Sequence, residues 1–345
     1  MIIRSKASLR LGLAGGGTDV SPYSEIYGGC VLNTTINMYA HCTLRLTNEN
    51  KVSFKALDMQ KNWSDELAPV YAIKGDLILH KAVYNRVVRD FNNDQALPVE
   101  VTTYSDAPPG SGLGSSSTMV VAILKAYAEL LKLPLGEYDL AHLAYEIERE
   151  DCKLSGGKQD QYAATFGGFN FIEFYADDRI IVNPLRIRNK IINELEEHLL
   201  LYFTGTSRES AHIIDDQVEL VNNKKDNNAL EGMHQVKKFS FQMKEALLRG
   251  NIHDMSDILN ESWTAKKLTS NVISNPHVER IYEAAIDAGA MSAKLSGAGG
   301  GGFMMLLVEP TKKVAVTNAL NKLDNGSGKT YNINFTKYGV LGWTV

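Results

Sequence analysis

The chain has 345 residues, 44% hydrophobic and 22% charged, which suffices for a large core in one or two domains. Its net charge of −4 leaves no basic footprint and excludes nucleic acid as an expected partner. The three cysteines, Cys30, Cys42 and Cys152, form neither a CxxC nor a metal spacing and point to a reduced, cytoplasmic setting. The opening Met1-Ile2-Ile3-Arg4 has no signal-peptide profile, and no apolar run approaches the roughly 18 residues of a membrane span.

Partial apolar–polar alternation predicts strands over residues 2–13, 41–46 and 51–57. Helical spacing follows over 76–91, then a strand over 99–104. Residues 116–131 predict a strong helix, with Val120, Ile123, Ala126, Tyr127 and Leu130 on its buried face. A second helix is predicted over 138–152, and 156–168 reads as a glycine-bracketed loop with a short turn. Strands resume through Phe174 and over 199–203, followed by several helical stretches between 207 and 288. Residues 290–294 and 303–308 form a predicted strand pair, 311–323 a helix, and the last residues a final strand. This mixed order predicts an α+β fold rather than a regular βαβ series.

Three glycine-rich segments punctuate these elements. The central one, residues 108–117, reads PPGSGLGSSS and runs straight into the strong helix. The loop of Pro109, Gly110, Ser111, Gly112, Leu113 and Gly114 would expose the backbone N–H groups of its non-proline residues at a helix N-terminus, where the helix dipole also favours negative charge. That is a phosphate cradle, and Ser115, Ser116 and Ser117 add hydroxyls that can reach a phosphate or Mg²⁺. The first segment, residues 10–19, reads RLGLAGGGTD, and the third, 294–303, reads KLSGAGGGGF. An Asp after three glycines suits a helix N-cap as well as a ligand contact. Glu146, Glu148 and Glu150 cannot all face one site, because helix positions two apart differ by about 200°. Residues 326–330, GSGKT, imitate a P-loop, but the first glycine would have to stand where Leu323 does. The eight histidines are scattered without metal spacing, and Trp63 reads as a loop anchor.

In order and spacing, the three segments resemble the motifs of the GHMP kinases (galactokinase, homoserine kinase, mevalonate kinase and phosphomevalonate kinase). The resemblance covers nearly the whole chain. It implies a ribosomal-S5-like N-terminal domain over residues 1–175 and a ferredoxin-like C-terminal domain with added helices over 176–345. It implies ATP as phosphoryl donor, with Mg²⁺ held by Ser116 and Glu148. Asp160, in the segment GGKQDQ at 156–161, matches the catalytic aspartate and would take or attract the proton of the acceptor hydroxyl. Arg10 matches the catalytic basic residue and would stabilise charge on the transferring group. Gly17, Thr18 and Asp19 of the first motif, and Gly299 and Gly300 of the third, are expected at the substrate.

The first motif departs from the galactokinase form: Gly12 stands for an Asn, and Gly15-Gly16-Gly17 for Gly-Glu-His. Residues 10–23, 204–208, 263–267 and 297–303 instead resemble the branch of the family that phosphorylates heptose 7-phosphate at its anomeric hydroxyl. Fucokinase shares some of these features and is the alternative. A sugar phosphate as small-molecule partner requires a cationic pocket, for which Lys158, Arg208, Lys266 and Lys267 are candidates. A non-catalytic sugar sensor on the same fold would be expected to lack Asp160, Glu148 or the cradle serines, and this chain has them all. A monomer or a homodimer is compatible with these features.

Overall fold

Two sheets share one interior. The computed structural model describes residues 1–206, 210–222, 227–323 and 327–345. The chain begins with β1 (Ile2–Ala14), a short helix α1 (Tyr23–Tyr27), the long strand β2 (Gly29–Leu46), β3 (Lys51–Ala56) and β4 (Lys61–Glu66). Helix α2 (Ile78–Phe91), β5 (Val99–Ser105), α3 (Ser115–Leu131), α4 (Glu137–Glu146) and α5 (Gln159–Phe166) follow, then β6 (Phe169–Phe174) and β7 (Ile180–Pro184). These strands form one sheet in the order β1-β2-β5-β3-β4, with β6 and β7 continuing from β2. All its pairs are antiparallel except β3 with β5, whose parallel pairing needs the crossover through β4 and α2.

Helix α3 explains the main core. Val120, Ile123, Ala126 and Tyr127 of its predicted face are buried and Leu130 partly so, but Val121, Ala122 and Leu124 away from that face are buried too. It is sandwiched between the sheet (Ile3, Leu44, Phe54, Val101) and α2 (Val83, Tyr84, Val87). A single apolar stripe therefore understates its burial. Trp63 stacks on Phe54 with centroids 5.1 Å apart and does not line the main cavity.

The second sheet runs β11-β8-β10-β9. Between β7 and its last strand lie α6 (Asn189–His198), β8 (Leu199–Phe203), α7 (Ser210–Asn222), α8 (Asn227–Arg249), α9 (Ile252–Leu268), α10 (Pro276–Asp287), β9 (Ala290–Leu295), β10 (Phe303–Val308), α11 (Lys313–Asn321) and β11 (Lys329–Tyr331). The final strand, β12 (Leu341–Thr344), returns to pair with β1. Leu9, Leu11 and Leu32 of the first sheet pack with Leu199, Leu201, Phe303 and Met305 of the second, and with Met243 and Met255 of α8 and α9. A division at residues 175/176 therefore does not coincide with sheet membership: β7 and β12 belong to the first sheet, and the two halves bury a common core. No described helix is long and apolar enough to cross a membrane.

Several elements differ from the sequence reading. β2 begins twelve residues before the predicted 41, because Asn33, Thr34 and Thr35 are fully buried polar residues that break the alternation. The predicted loop at 156–168 contains α5, and the predicted helix 138–152 changes to a π-helical turn over Ile147–Asp151. The GKT of the false P-loop contributes Lys329 and Thr330 to β11, paired with β8.

Candidate active site

The three glycine segments meet because backbone must touch backbone. A Cβ on Gly112 would come within 2.3 Å of the Ser296 carbonyl, and one on Gly302 within 2.4 Å of the Ser111 carbonyl. The Phe303 amide donates to that Ser111 carbonyl at 2.8 Å, and the Arg10 amide to Leu113 at 3.1 Å. Gly114, at φ 75°, starts α3 without any side-chain cap. The first N–H groups of α3 thus remain available to a ligand.

These loops border a cavity of about 710 Å³. One part is lined by Met59, Leu77, Ile78 and His80, whose rings and chains suit a nucleoside, with the charged Asp58, Lys61 and Asp76 beside them. The middle carries Pro109, Gly110, Gly112, Gly114 and Ser115 to Ser117. The other end carries Gly17, Asp19, Val20, Gln159, Asp160, Ile214, Lys266 and Gly297.

Asp160 lies in the first turn of α5, beside Gly114, where an added Cβ would stand 3.0 Å from the carboxyl carbon. Arg10 Nε donates to Asp160 Oδ1 at 2.6 Å, and Arg10 Nη1 donates to the Gly112 carbonyl at 2.6 Å. One guanidinium therefore ties the carboxylate to the cradle. Asp19 accepts from the Gln159 amide and from Gln159 Nε2, both at 3.0 Å, and from the Gly17 amide at 3.1 Å. Burial, then the charge of Asp160, raises its pKa. Gly157 is needed there because a Cβ would collide with the Asp19 carboxylate.

Glu148, 1% exposed, accepts from Ser116 Oγ at 2.7 Å, Ser117 Oγ at 2.6 Å and Gln161 Nε2 at 2.7 Å. It stands in the π-helical turn, a distortion often found at functional sites. The turn separates the three glutamates: Glu146 pairs with Arg86 at 2.8 Å, Glu150 is exposed, and Glu148 alone of the three lines the cavity. Arg149 donates to the Leu154 and Gly157 carbonyls at 3.2 Å and fixes the loop before α5.

Two lysines complete the acceptor end. Lys266, in the last turn of α9, donates to the Gly297 carbonyl at 2.6 Å. Burial and the neighbouring Arg10 lower its pKa to about 8, against the pull of Asp19 and Asp160. Lys294 on β9 lies 3.5 Å from the Gly12 carbonyl, and burial, Lys266 and Arg10 lower its pKa to about 7.

This geometry can hold a polyphosphate on backbone amides with a carboxylate–guanidinium pair at its end. The family models for the N-terminal domain of GHMP kinases and for their C-terminal domain match residues 78–168 and 243–325. The chain is also 49% identical, over 99% of both chains, to D-glycero-alpha-D-manno-heptose 7-phosphate kinase of Campylobacter jejuni. The chain belongs to the GHMP kinases. It is therefore a kinase with an alcohol acceptor and ATP as donor, in a GHMP kinase fold. A solved structure described as a D-glycero-D-manno-heptose 1-phosphate kinase from Bacteroides thetaiotaomicron superposes with a TM-score of 0.85, at 46% identity and 99% coverage of both chains. The bifunctional fucokinase/GDP-fucose pyrophosphorylase of Arabidopsis thaliana is 26% identical over 90% of this chain, which spans 30% of that protein.

Not every sequence candidate faces the cavity of this GHMP kinase. Thr18 is fully buried, and its hydroxyl is engaged with the Gly15 and Cys30 carbonyls and the Cys30 amide. Lys158 is turned toward Glu25, at 3.2 Å, and Asp178, at 2.5 Å. Gly299 and Gly300 pack against Ile273 instead, leaving Gly297 and Ala298 to line the cavity. Ser111 and Leu113 are buried beneath the cradle rather than in it. Lys267 pairs with Glu279 at 3.3 Å. Arg208 lies outside the described residues. Sequence reasoning missed Arg149, Lys294 and the nucleoside wall. Arg149 stands beside a named glutamate, and Lys294, in a named glycine segment, is buried outside the cavity lining; nothing local marks either one.

Proposed function

We propose that this kinase transfers the γ-phosphoryl group of ATP to the anomeric hydroxyl of a sugar phosphate, D-glycero-D-manno-heptose 7-phosphate, giving the 1,7-bisphosphate. The observation that carries the chemistry is the Arg10–Asp160 pair at 2.6 Å, held against the cradle by the Gly112 carbonyl. The near-full-length identity to a heptose 7-phosphate kinase supports the choice of acceptor.

On this reading Pro109, Gly110, Gly112, Gly114 and the serines at 115 to 117 hold the nucleotide phosphates through the N-terminus of α3. Asp160 accepts the proton of the attacking hydroxyl as the new O–P bond forms and the bond to the β-phosphate bridging oxygen breaks. Arg10 orients that carboxylate through the 2.6 Å contact and offers its guanidinium to the negative charge on the transferring group. Asp19, fixed by Gln159 and the Gly17 amide, is placed to accept from sugar hydroxyls.

The donor set fits Mg²⁺. Ser116 and Glu148 present hard oxygens at the cradle mouth, and this ion keeps several waters rather than needing a full protein cage. Bound there, the metal would neutralise charge on the β- and γ-phosphates.

The test is an acceptor panel with ATP: heptose 7-phosphate, fucose, galactose and mevalonate. Heptose 7-phosphate should show the highest kcat/KM. Faster turnover of fucose than of any sugar phosphate would replace this acceptor with the fucokinase one.

A further inference from the structure

Among the described residues, four long cationic side chains line the cavity. Lys61 is paired with Asp76 at 2.6 Å toward the nucleoside end. Arg10 is committed to Asp160 and the Gly112 carbonyl, and Arg149 to two carbonyls of its own loop. Lys266 differs. It is 3% exposed, donates one hydrogen bond to the Gly297 carbonyl, and makes no ion pair among the described residues. An ammonium has three donors, so two stay uncommitted at the cavity wall. Lys294, 4% exposed, stands behind it, also without an ion pair among the described residues. Two unpaired buried ammonium groups are costly unless something anionic joins them.

We propose that Lys266, backed by Lys294, is the specificity-determining cation that receives the acceptor's own phosphate group. This rests on the sugar-phosphate reading above and names the residue that enforces it. The nucleotide's phosphates already have the cradle amides and Arg10. Lys266 comes from a different element, α9, and shares its end of the cavity with Gly17, Asp19 and Ile214. A phosphate dianion there would supply the missing counter-charge to both lysines.

The charged groups facing Lys266 are Arg10 from β1, Asp19 beyond it, Asp160 from α5 and Lys294 from β9. Arg10 and Lys294 disfavour its charged form, whereas the two carboxylates favour it. Its pKa near 8 makes binding proton-linked. Below that pH Lys266 is charged and attracts the phosphate; as pH rises through about 8 it becomes neutral and the attraction fades. Anion entry should draw protons onto the lysines, and calorimetry at pH near 8 in two buffers of different ionisation enthalpy reads this directly.

The experiment compares Lys266→Met with the wild type on heptose 7-phosphate and on the same heptose without its phosphate. The ratio of kcat/KM between the two acceptors should fall about ten- to a hundred-fold, the value of one charge-assisted contact, with KM for ATP unchanged and the proton uptake diminished. Should Lys266→Met not fold, as judged by binding of a non-hydrolysable ATP analogue, Lys266→Gln carries the same prediction, because it can still donate to the Gly297 carbonyl. If kcat falls alike on both acceptors and the ratio holds, Lys266 serves the transferring phosphoryl group and the inference is overturned. A wild-type enzyme that itself prefers the unphosphorylated heptose overturns the sugar-phosphate reading, whatever the variant does.

Discussion

The two ends of the cavity are built differently. The cradle end is made of backbone: glycines at 110, 112 and 114 take positive φ in the turn that leads into α3, and glycines at 297 and 302 let a second loop lie on the first. The acceptor end is made of side chains from distant segments, with Arg10 on β1, Asp160 on α5 and Lys266 on α9, backed by Lys294 on β9. A backbone site needs particular residues in consecutive positions. A side-chain site needs only that the fold brings single residues together, so any of several lysines would serve equally well in the sequence.

Removing the group at the junction of the two ends should have the largest effect. Asp160→Asn should lower kcat by about 10² to 10⁴ while leaving nucleotide binding intact by calorimetry, because the side chain keeps its volume and loses its basicity. An undiminished kcat in the folded variant would detach the acceptor end from the chemistry. Glu148→Gln tests the cradle end. It removes the anion that accepts from Ser116, Ser117 and Gln161. The Mg²⁺ concentration for half-maximal rate should rise about ten-fold or more. An unchanged Mg²⁺ titration would leave Glu148 with only a structural role.

Two smaller effects sharpen the boundary between site and scaffold. Thr18→Val should cost about 1–3 kcal/mol of stability in chemical denaturation, because its hydroxyl serves buried backbone groups. KM for the acceptor should stay within about two-fold, since a hydroxyl spent on the scaffold contributes no contact energy to the ligand. Lys158→Met should matter least for the acceptor, leaving its KM within about two-fold, since the buried ammonium is spent on Asp178 and Glu25 rather than on the cavity. A ten-fold rise in KM for the sugar phosphate on Lys158→Met would return that lysine to the acceptor end.

How much was legible follows the same line. The cradle, α3 and the third glycine loop are consecutive patterns, and they stand where their motifs put them. Glu148 could be separated from Glu146 and Glu150 only through the family resemblance, since the π-helical turn that aims it leaves no periodic trace. Helix α5 is hidden in the sequence because it is eight residues long between glycines. The first half of β2 is hidden because Asn33, Thr34 and Thr35 lie between β1 and β6, where both edges are paired and polarity no longer reports exposure. Thr18 and Lys158 sit beside true cavity residues, so their position in a motif suggested contact although their side chains point into the scaffold. Lys266 and Lys267 are adjacent in sequence, and only the fold shows that the first enters the cavity and the second pairs with Glu279.

The proposed acceptor brings its own phosphate to Lys266's end of the cavity and takes a second one from the cradle. A phosphorus NMR spectrum of the product formed from ATP and heptose 7-phosphate tests this most directly. It should show the original 7-phosphate retained and one new phosphate coupled to the anomeric proton. A new phosphate on any other hydroxyl, or no product from a preparation that binds ATP, would contradict it.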